Sequence, residues 1–331
     1  MRTIFLLLFF VATSTASEFI FKWENYKPVK MTRKLPDKSS EERKWEPIRY
    51  RVLYDDSVFD DIPVSQTKLL QKNFKRALKF FDVKVQREEE FSIYKSLNVN
   101  TSKYENMCDE QILSSKYDFF ECAEGTEEKG CDDEGHETLK DVDYVWFVKV
   151  EDNNQRIAGA GACNYVPGTN YKPNVGMILF GKKFLMEKEE RITREGEENL
   201  YNILRHEVSH ALFFHGELWK AFPDGQNLYK KTTRSIVYPE TLGSGMNETF
   251  YGIAFPKALE EARKYLDCPD LQYIEIENTG GQGTAGSHYD ADFLPYETMR
   301  GDDPPFRIAY SRITLALMED SGWYKVDYSY V

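Results

Sequence analysis

The 331-residue chain has little histidine and little cysteine, five of each. It also lacks excess positive charge: 55 acidic residues outweigh 43 basic ones, for a formal net charge of −12. No basic stripe lies outside the N-terminal segment, which argues against a nucleic-acid partner. Past the first dozen residues no apolar run is long enough to span a bilayer, so no transmembrane segment is expected. No internal repeat is visible. The C-terminus, Tyr328-Ser329-Tyr330-Val331, carries no hydrophobic tail and so no lipid-anchor signal. What is present is ordinary apolar content with 15% aromatic residues, enough to build a core in one or two domains.

The N-terminus supplies an address. Met1-Arg2-Thr3 precedes an apolar run over 4–12, and Ser14-Thr15-Ala16 offers small residues for cleavage. Residues 1–17 therefore read as a secretory signal peptide, and the mature chain is expected to be soluble and secreted or extracellular. Asn100 and Asn247 each open a glycosylation acceptor, consistent with that route. Five cysteines in an oxidising compartment imply two disulfides and one remainder, and the loop from Cys122 to Cys131 is short enough to close locally. Residues 18–45 are basic and punctuated by proline; a flexible arm and a remnant pro-segment both fit.

The pentapeptide His206-Glu207-Val208-Ser209-His210 carries the chemistry. It sits in 200–214, where Leu200, Ile203, Leu204, Ala211 and Leu212 recur near the helical period. Residues four apart share a helix face, so His206 and His210 can grip one metal ion while Glu207 leans toward a bound water. This is the H-E-x-x-H arrangement of zinc peptidases. Five-residue patterns with two free positions arise by chance, and a third ligand is the deciding question. His215 falls about half a turn from the ligand face and reads as a helix-end histidine. The compact metzincin pattern wants a histidine ten after the first, where this chain has Gly216. His136 lies in an acidic loop. His288 closes the glycine-rich run Gly280-Gly281-Gln282-Gly283-Thr284-Ala285-Gly286-Ser287-His288, and Met299 follows eleven residues later. The run lacks Gly-Lys-Ser/Thr, so a phosphate loop is disfavoured. Met299 taken alone reads as a core methionine.

With these motifs in this order, the chain resembles the leishmanolysin-like (invadolysin-type) metallopeptidases of the metzincin clan. The resemblance rests on the zinc helix, Phe255-Pro256-Lys257-Ala258-Leu259-Glu260-Glu261-Ala262-Arg263, the run from Cys268 to His288, Glu297 with Met299, and the amphipathic helix from Thr314 to Tyr324 stopped by glycine. It holds from about residue 140 onward and is thinner over 48–141. It implies an α+β fold with a twisted mixed sheet and an active-site helix in 46–214. A second subdomain, 215–331, would return the third zinc histidine and a Met-turn. It implies one Zn²⁺ on His206, His210 and His288, with Glu207 as general base, Met299 as an apolar floor, and protein or peptide substrates. It further implies a Cys108–Cys163 disulfide and an absent C-terminal cysteine-rich domain. Cys268 is then left unpaired or in an intermolecular contact. No cysteine precedes Cys108, so a cysteine cap on the zinc is not expected. Two departures stand out: Phe213 occupies the position where the family has a glycine, and Gly301 stands where some metzincins place a tyrosine.

Among other elements, the sequence predicts strands at 48–54, 142–150 and 175–180, and a helix at 64–81. The strand at 175–180 is expected near the cleft edge, where it would align an extended substrate. Residues 88–137 are expected to be loops with short helices. A non-catalytic binding or adhesion protein that retained the fold is the competing reading, and a zinc enzyme acting on something other than peptides is a third.

Overall fold

The computed structural model describes residues 45–54, 62–81, 83–86, 142–152, 157–166, 171–186, 194–236, 246–279, 284–302 and 308–331. The signal peptide, most of the basic arm, Asn100, Cys108, Cys122, Cys131, His136 and the loops expected at 88–137 lie outside these residues.

In chain order, β1 (Trp45–Pro47) and β2 (Tyr50–Tyr54) lead into α1 (Val64–Phe80), then β3 (Lys84–Gln86), β4 (Tyr144–Glu151), β5 (Ala158–Val166) and β6 (Lys172–Gly181). The main sheet has the order β2-β4-β6-β5. β2, β4 and β6 are parallel, and β5 runs antiparallel along β6. β4 reads Tyr-Val-Trp-Phe-Val, and all ten residues of β6 are buried. Such near-continuous apolar runs mark strands covered on both faces. One cover is α1, whose buried Leu70, Phe74, Ala77 and Leu78 follow helical spacing. Phe74 meets Trp146 of β4 edge to face at 5.6 Å.

One expectation fails here. The strand predicted at 175–180 is β6, which lies between β4 and β5 and not at the cleft edge. The edge is β5, written Ala-Gly-Ala-Gly-Ala at its start. Alanine and glycine are depleted in strands, so periodicity did not mark it.

After α2 (Lys182–Met186) comes α3 (Arg194–Leu212), the helix bearing the histidine pair. It begins before the predicted residue 200, and because Arg194 to Asn199 is polar no apolar period marks that first part in the sequence. That first part is tied to α1 by Lys72–Glu197 at 2.6 Å and Arg76–Glu198 at 2.9 Å.

Beyond it lie α4 (Gly216–Ala221), α5 (Gly225–Leu228), β7 (Tyr229–Ile236), β8 (Met246–Ile253), α6 (Pro256–Tyr265) and β9 (Ile274–Ile276). The three strands form an antiparallel sheet in the order β7-β8-β9. Asn247 pairs with Ser235 in this sheet. An irregular stretch follows, then α7 (Arg312–Asp320) and β10 (Tyr324–Lys325). Ser311 caps α7 by accepting from Thr314 N, and Gly322 (φ +73°) turns the chain after it. β10 pairs with β3, which also pairs with β1, so the last strand joins the first ones described. Buried residues from both halves form one contiguous core.

Candidate metal centre

His206 and His210 project from one face of α3, one turn apart. His288 arrives from the loop after β9. Their Nε2 atoms stand 2.9 Å (His206–His210), 3.1 Å (His206–His288) and 3.1 Å (His210–His288) apart. At those separations one ion can reach all three nitrogens at the usual Zn–N distance of about 2.0–2.1 Å. Among the described residues this is the one group of three or more histidine, cysteine or carboxylate side chains placed to hold a metal.

The opposite ring nitrogens show why the three Nε2 atoms are lone-pair donors. Nδ1 of His206 donates to the Thr298 carbonyl at 2.8 Å, that of His210 to the Phe214 carbonyl at 2.7 Å, and that of His288 to the Thr284 carbonyl at 3.0 Å. A carbonyl only accepts, so each neutral ring carries its proton on Nδ1. Three lone pairs then converge with no proton between them, an arrangement that repels itself unless a cation joins it. Burial favours the neutral form: it pulls His206 down to about 4 and His288 to about 3, with the carbonyl bonds opposing. His210 is held well below its usual range by burial first and the other two rings second.

Glu207 is buried and lines the same cleft as His206 and His288. The apolar wall comes from Ile157 and Ala158 at the start of β5 and Ile203 of α3; Asn199 and Asn202 line the same helix face. Arg300 and Asp302 close one side as an ion pair, and a further Arg300 N–H donates to the Pro295 carbonyl.

The departure at Phe213 has a local explanation. A helix that stops with a left-handed residue favours glycine there, yet neither Phe213 nor Phe214 has positive φ. The helix closes when both Phe213 N and Phe214 N donate to Ser209 O, at 2.9 and 2.7 Å. Phe213 is fully buried, and Phe214 stacks edge to face on Trp219 and Tyr289. The turn frees the Phe214 carbonyl for His210.

Glycine is needed slightly later. A Cβ on Gly216 would come within 2.8 Å of both the Gly286 carbonyl and the Tyr229 hydroxyl, so its absence lets the His288 loop approach α4. Gly301 plays a similar part: a Cβ there would collide with Thr284 and sit 3.3 Å from His288 Cγ. A tyrosine at 301 would displace the third histidine.

Other candidates fall into place. His215 caps α4, its Nδ1 accepting from Glu217 N at 3.1 Å, and stays outside the cluster. Met299 is fully buried, and its carbonyl accepts from Tyr289 N, the residue after His288, at 2.9 Å. Cys163 is buried in β5 and disulfide-bonded, and its predicted partner Cys108 lies outside the described residues. Cys268 carries a free thiol within this chain. The three carbonyls that orient the histidines had no signal in the sequence, because any residue can supply a carbonyl. Among the described residues no helix is long and apolar enough to cross a membrane.

Comparison with known proteins places the chain in a family. The leishmanolysin family profile matches residues 122–331. A leishmanolysin-like peptidase of Caenorhabditis elegans is 28% identical over 217 residues, covering 58% of this chain and 32% of the relative. One from Drosophila melanogaster is 26% identical over 218 residues, covering 58% and 32%. Leishmanolysin of Leishmania major is 27% identical over 196 residues, covering 58% and 28%. The chain thus matches about a third of the length of these relatives. With the profile covering more than half of it, the chain belongs to the leishmanolysin peptidase family.

Proposed function

We propose that this chain is a zinc-dependent endopeptidase that hydrolyses protein or peptide bonds. The observation that carries the reading is the convergence of three Nδ1-protonated imidazoles, Nε2 first, beside a buried glutamate. His206, His210 and His288 would hold the ion; three protein ligands leave a position open, as in catalytic rather than structural sites. Bound zinc supplies Lewis acidity, lowering the pKa of water to roughly 7 in such sites and polarising the scissile carbonyl.

The remaining work belongs to side chains and backbone. Glu207 accepts a proton from the attacking water and delivers it to the departing amine nitrogen. β5 is an edge strand of the main sheet and begins in the cleft wall at Ala158, so an extended peptide can pair with its main chain there. Its alanines and glycines keep that edge low, leaving room for substrate side chains. Ile157, Ala158 and Ile203 exclude water from one flank. The turn around Met299 acts through its backbone and buried side chain, not as a reacting group. Residues 1–17 would direct the chain into the secretory route, where Asn100 and Asn247 could be glycosylated. There the Cys268 thiol would be open to an intermolecular partner.

The test is hydrolysis of quenched, labelled casein by the purified chain beside Glu207→Ala. Removing a general base costs about 10²–10⁴-fold, so the variant should lose turnover while keeping its zinc, and a chelator should stop the wild type. Equal inactivity in both, with fold and zinc verified, would favour a binding or adhesion protein that retained the peptidase architecture.

A further inference from the structure

The buried carboxylate of Glu297 is not used by the chemistry above, yet it sits at the base of the turn that orients His206. It opens the segment Glu297-Thr298-Met299 and is 4% exposed. Oε1 accepts from Thr298 N at 3.0 Å, and Oε2 accepts from Ser311 N at 3.2 Å. The Met299 N–H and the side chains of Ser311 and Thr314 also bond to it. Its donors thus come from the turn itself and from the N-terminus of α7, where partial positive charge favours a carboxylate. The charged Arg205 of α3, stacked over Tyr201 and Phe80, also feels its field.

The peptide unit joining Thr298 to Met299 faces two ways. Its N–H, on Met299, donates to Glu297. Its carbonyl, on Thr298, accepts from Nδ1 of His206. Burial pushes the Glu297 carboxyl up to about 7 against the pull of these hydrogen bonds, so above that pH it carries its charge. A negative charge on the N–H side of an amide increases the electron density at its oxygen, and hydrogen bonds in such a chain strengthen one another. A stronger acceptor at Nδ1–H makes the far nitrogen, Nε2, a better electron donor.

We propose that Glu297 is a positioning residue that acts on His206 through this one peptide group, fixing its tautomer and strengthening Nε2 as a metal ligand. Among the described contacts, neither the Phe214 carbonyl that holds His210 nor the Thr284 carbonyl that holds His288 belongs to a peptide group whose N–H donates to a carboxylate. The effect is therefore specific to His206. Met299 adds a second reach: its carbonyl accepts from Tyr289 N, so the turn Glu297 anchors also steadies the segment after His288.

The ligand role of His206 rests on the zinc reading above, but the relay itself can be measured without metal. Full chain labelled with ¹⁵N-histidine, metal-free, is compared with Glu297→Gln by proton–nitrogen NMR of the imidazole Nδ1–H groups. The His206 Nδ1–H resonance should move upfield while those of His210 and His288 stay in place. Zinc affinity, read by competition with a chelator of known affinity, should weaken about 10–100-fold, the usual cost of losing an outer partner of a ligating histidine. Glu297→Asp keeps the charge but draws it back by one methylene; it should move the same resonance by less, and it serves as the second arm if the glutamine variant does not fold. Three resonances moving together, or none moving, would overturn the relay and leave Glu297 a structural residue. A wild-type chain that binds no zinc would instead sink the metallopeptidase reading, with the NMR comparison still deciding the relay.

Discussion

The histidines on α3 and the histidine from the 284–289 loop reach one point by different physical means. On the helix, backbone hydrogen bonds and a four-residue spacing place His206 and His210 together almost regardless of the other side chains. In the loop nothing periodic operates. His288 is held by a carbonyl four residues earlier, by Gly286 in a left-handed conformation (φ +88°), and by two glycines, 216 and 301, that clear space around it. Regular structure needs only a pattern, whereas an irregular ligand needs every neighbour to be small or correctly turned. The loop side should therefore be the fragile half of the site.

Three substitutions and conditions sharpen this contrast. On the helix side, Phe213→Gly restores the residue the family resemblance leads one to expect. The native φ there is not positive and the ring is fully buried, so the change should cost about 3–5 kcal/mol, as for emptying other buried aromatic positions. Urea unfolding measures it, and a neutral or stabilising result would mean that the helix end is wrongly understood. On the loop side, Gly301→Ala forces Thr284 and His288 to shift. A cost of about 1–3 kcal/mol is expected, together with weaker zinc binding, while the helix content read by circular dichroism should hold. If stability falls and zinc affinity does not, Gly301 supports packing alone.

The third effect concerns protons. His206 has its folded pKa lowered to about 4 against an ordinary 6.5, so the unfolded chain binds the proton first as pH falls. Stability from this group is complete above about 6.5 and is lost as pH drops toward 4. The slope is up to about 1.4 kcal/mol per pH unit. Metal-free wild type should therefore lose stability more steeply over that window than metal-free His206→Asn. Parallel curves would show that His206 is not desolvated in the folded chain.

Legibility in the sequence divides along the same line. α1, β4 and α3 could be read because burial on one face or both leaves a periodic or continuous apolar record. β5 could not, since an edge strand built from alanine and glycine resembles a linker until its partner β6 is known. His206, Glu207 and His210 were readable from spacing alone. His288 and Met299 needed the family resemblance, because the distance from His210 to His288 carries no geometric rule. The supporting groups were harder still. Carbonyls of Thr284, Phe214 and Thr298 have no residue signature, and the bond from Glu297 to the N-terminus of α7 joins segments whose proximity only the fold reveals.

The most direct measurement is the zinc content of the purified full chain beside Glu207→Ala and His288→Ala, each dialysed against a weak chelator and counted by mass spectrometry. One zinc per chain in the wild type and in Glu207→Ala, with loss in His288→Ala, is the predicted result. Stoichiometric zinc retained in His288→Ala would contradict the account, because the ion would then not depend on the loop that completes the site.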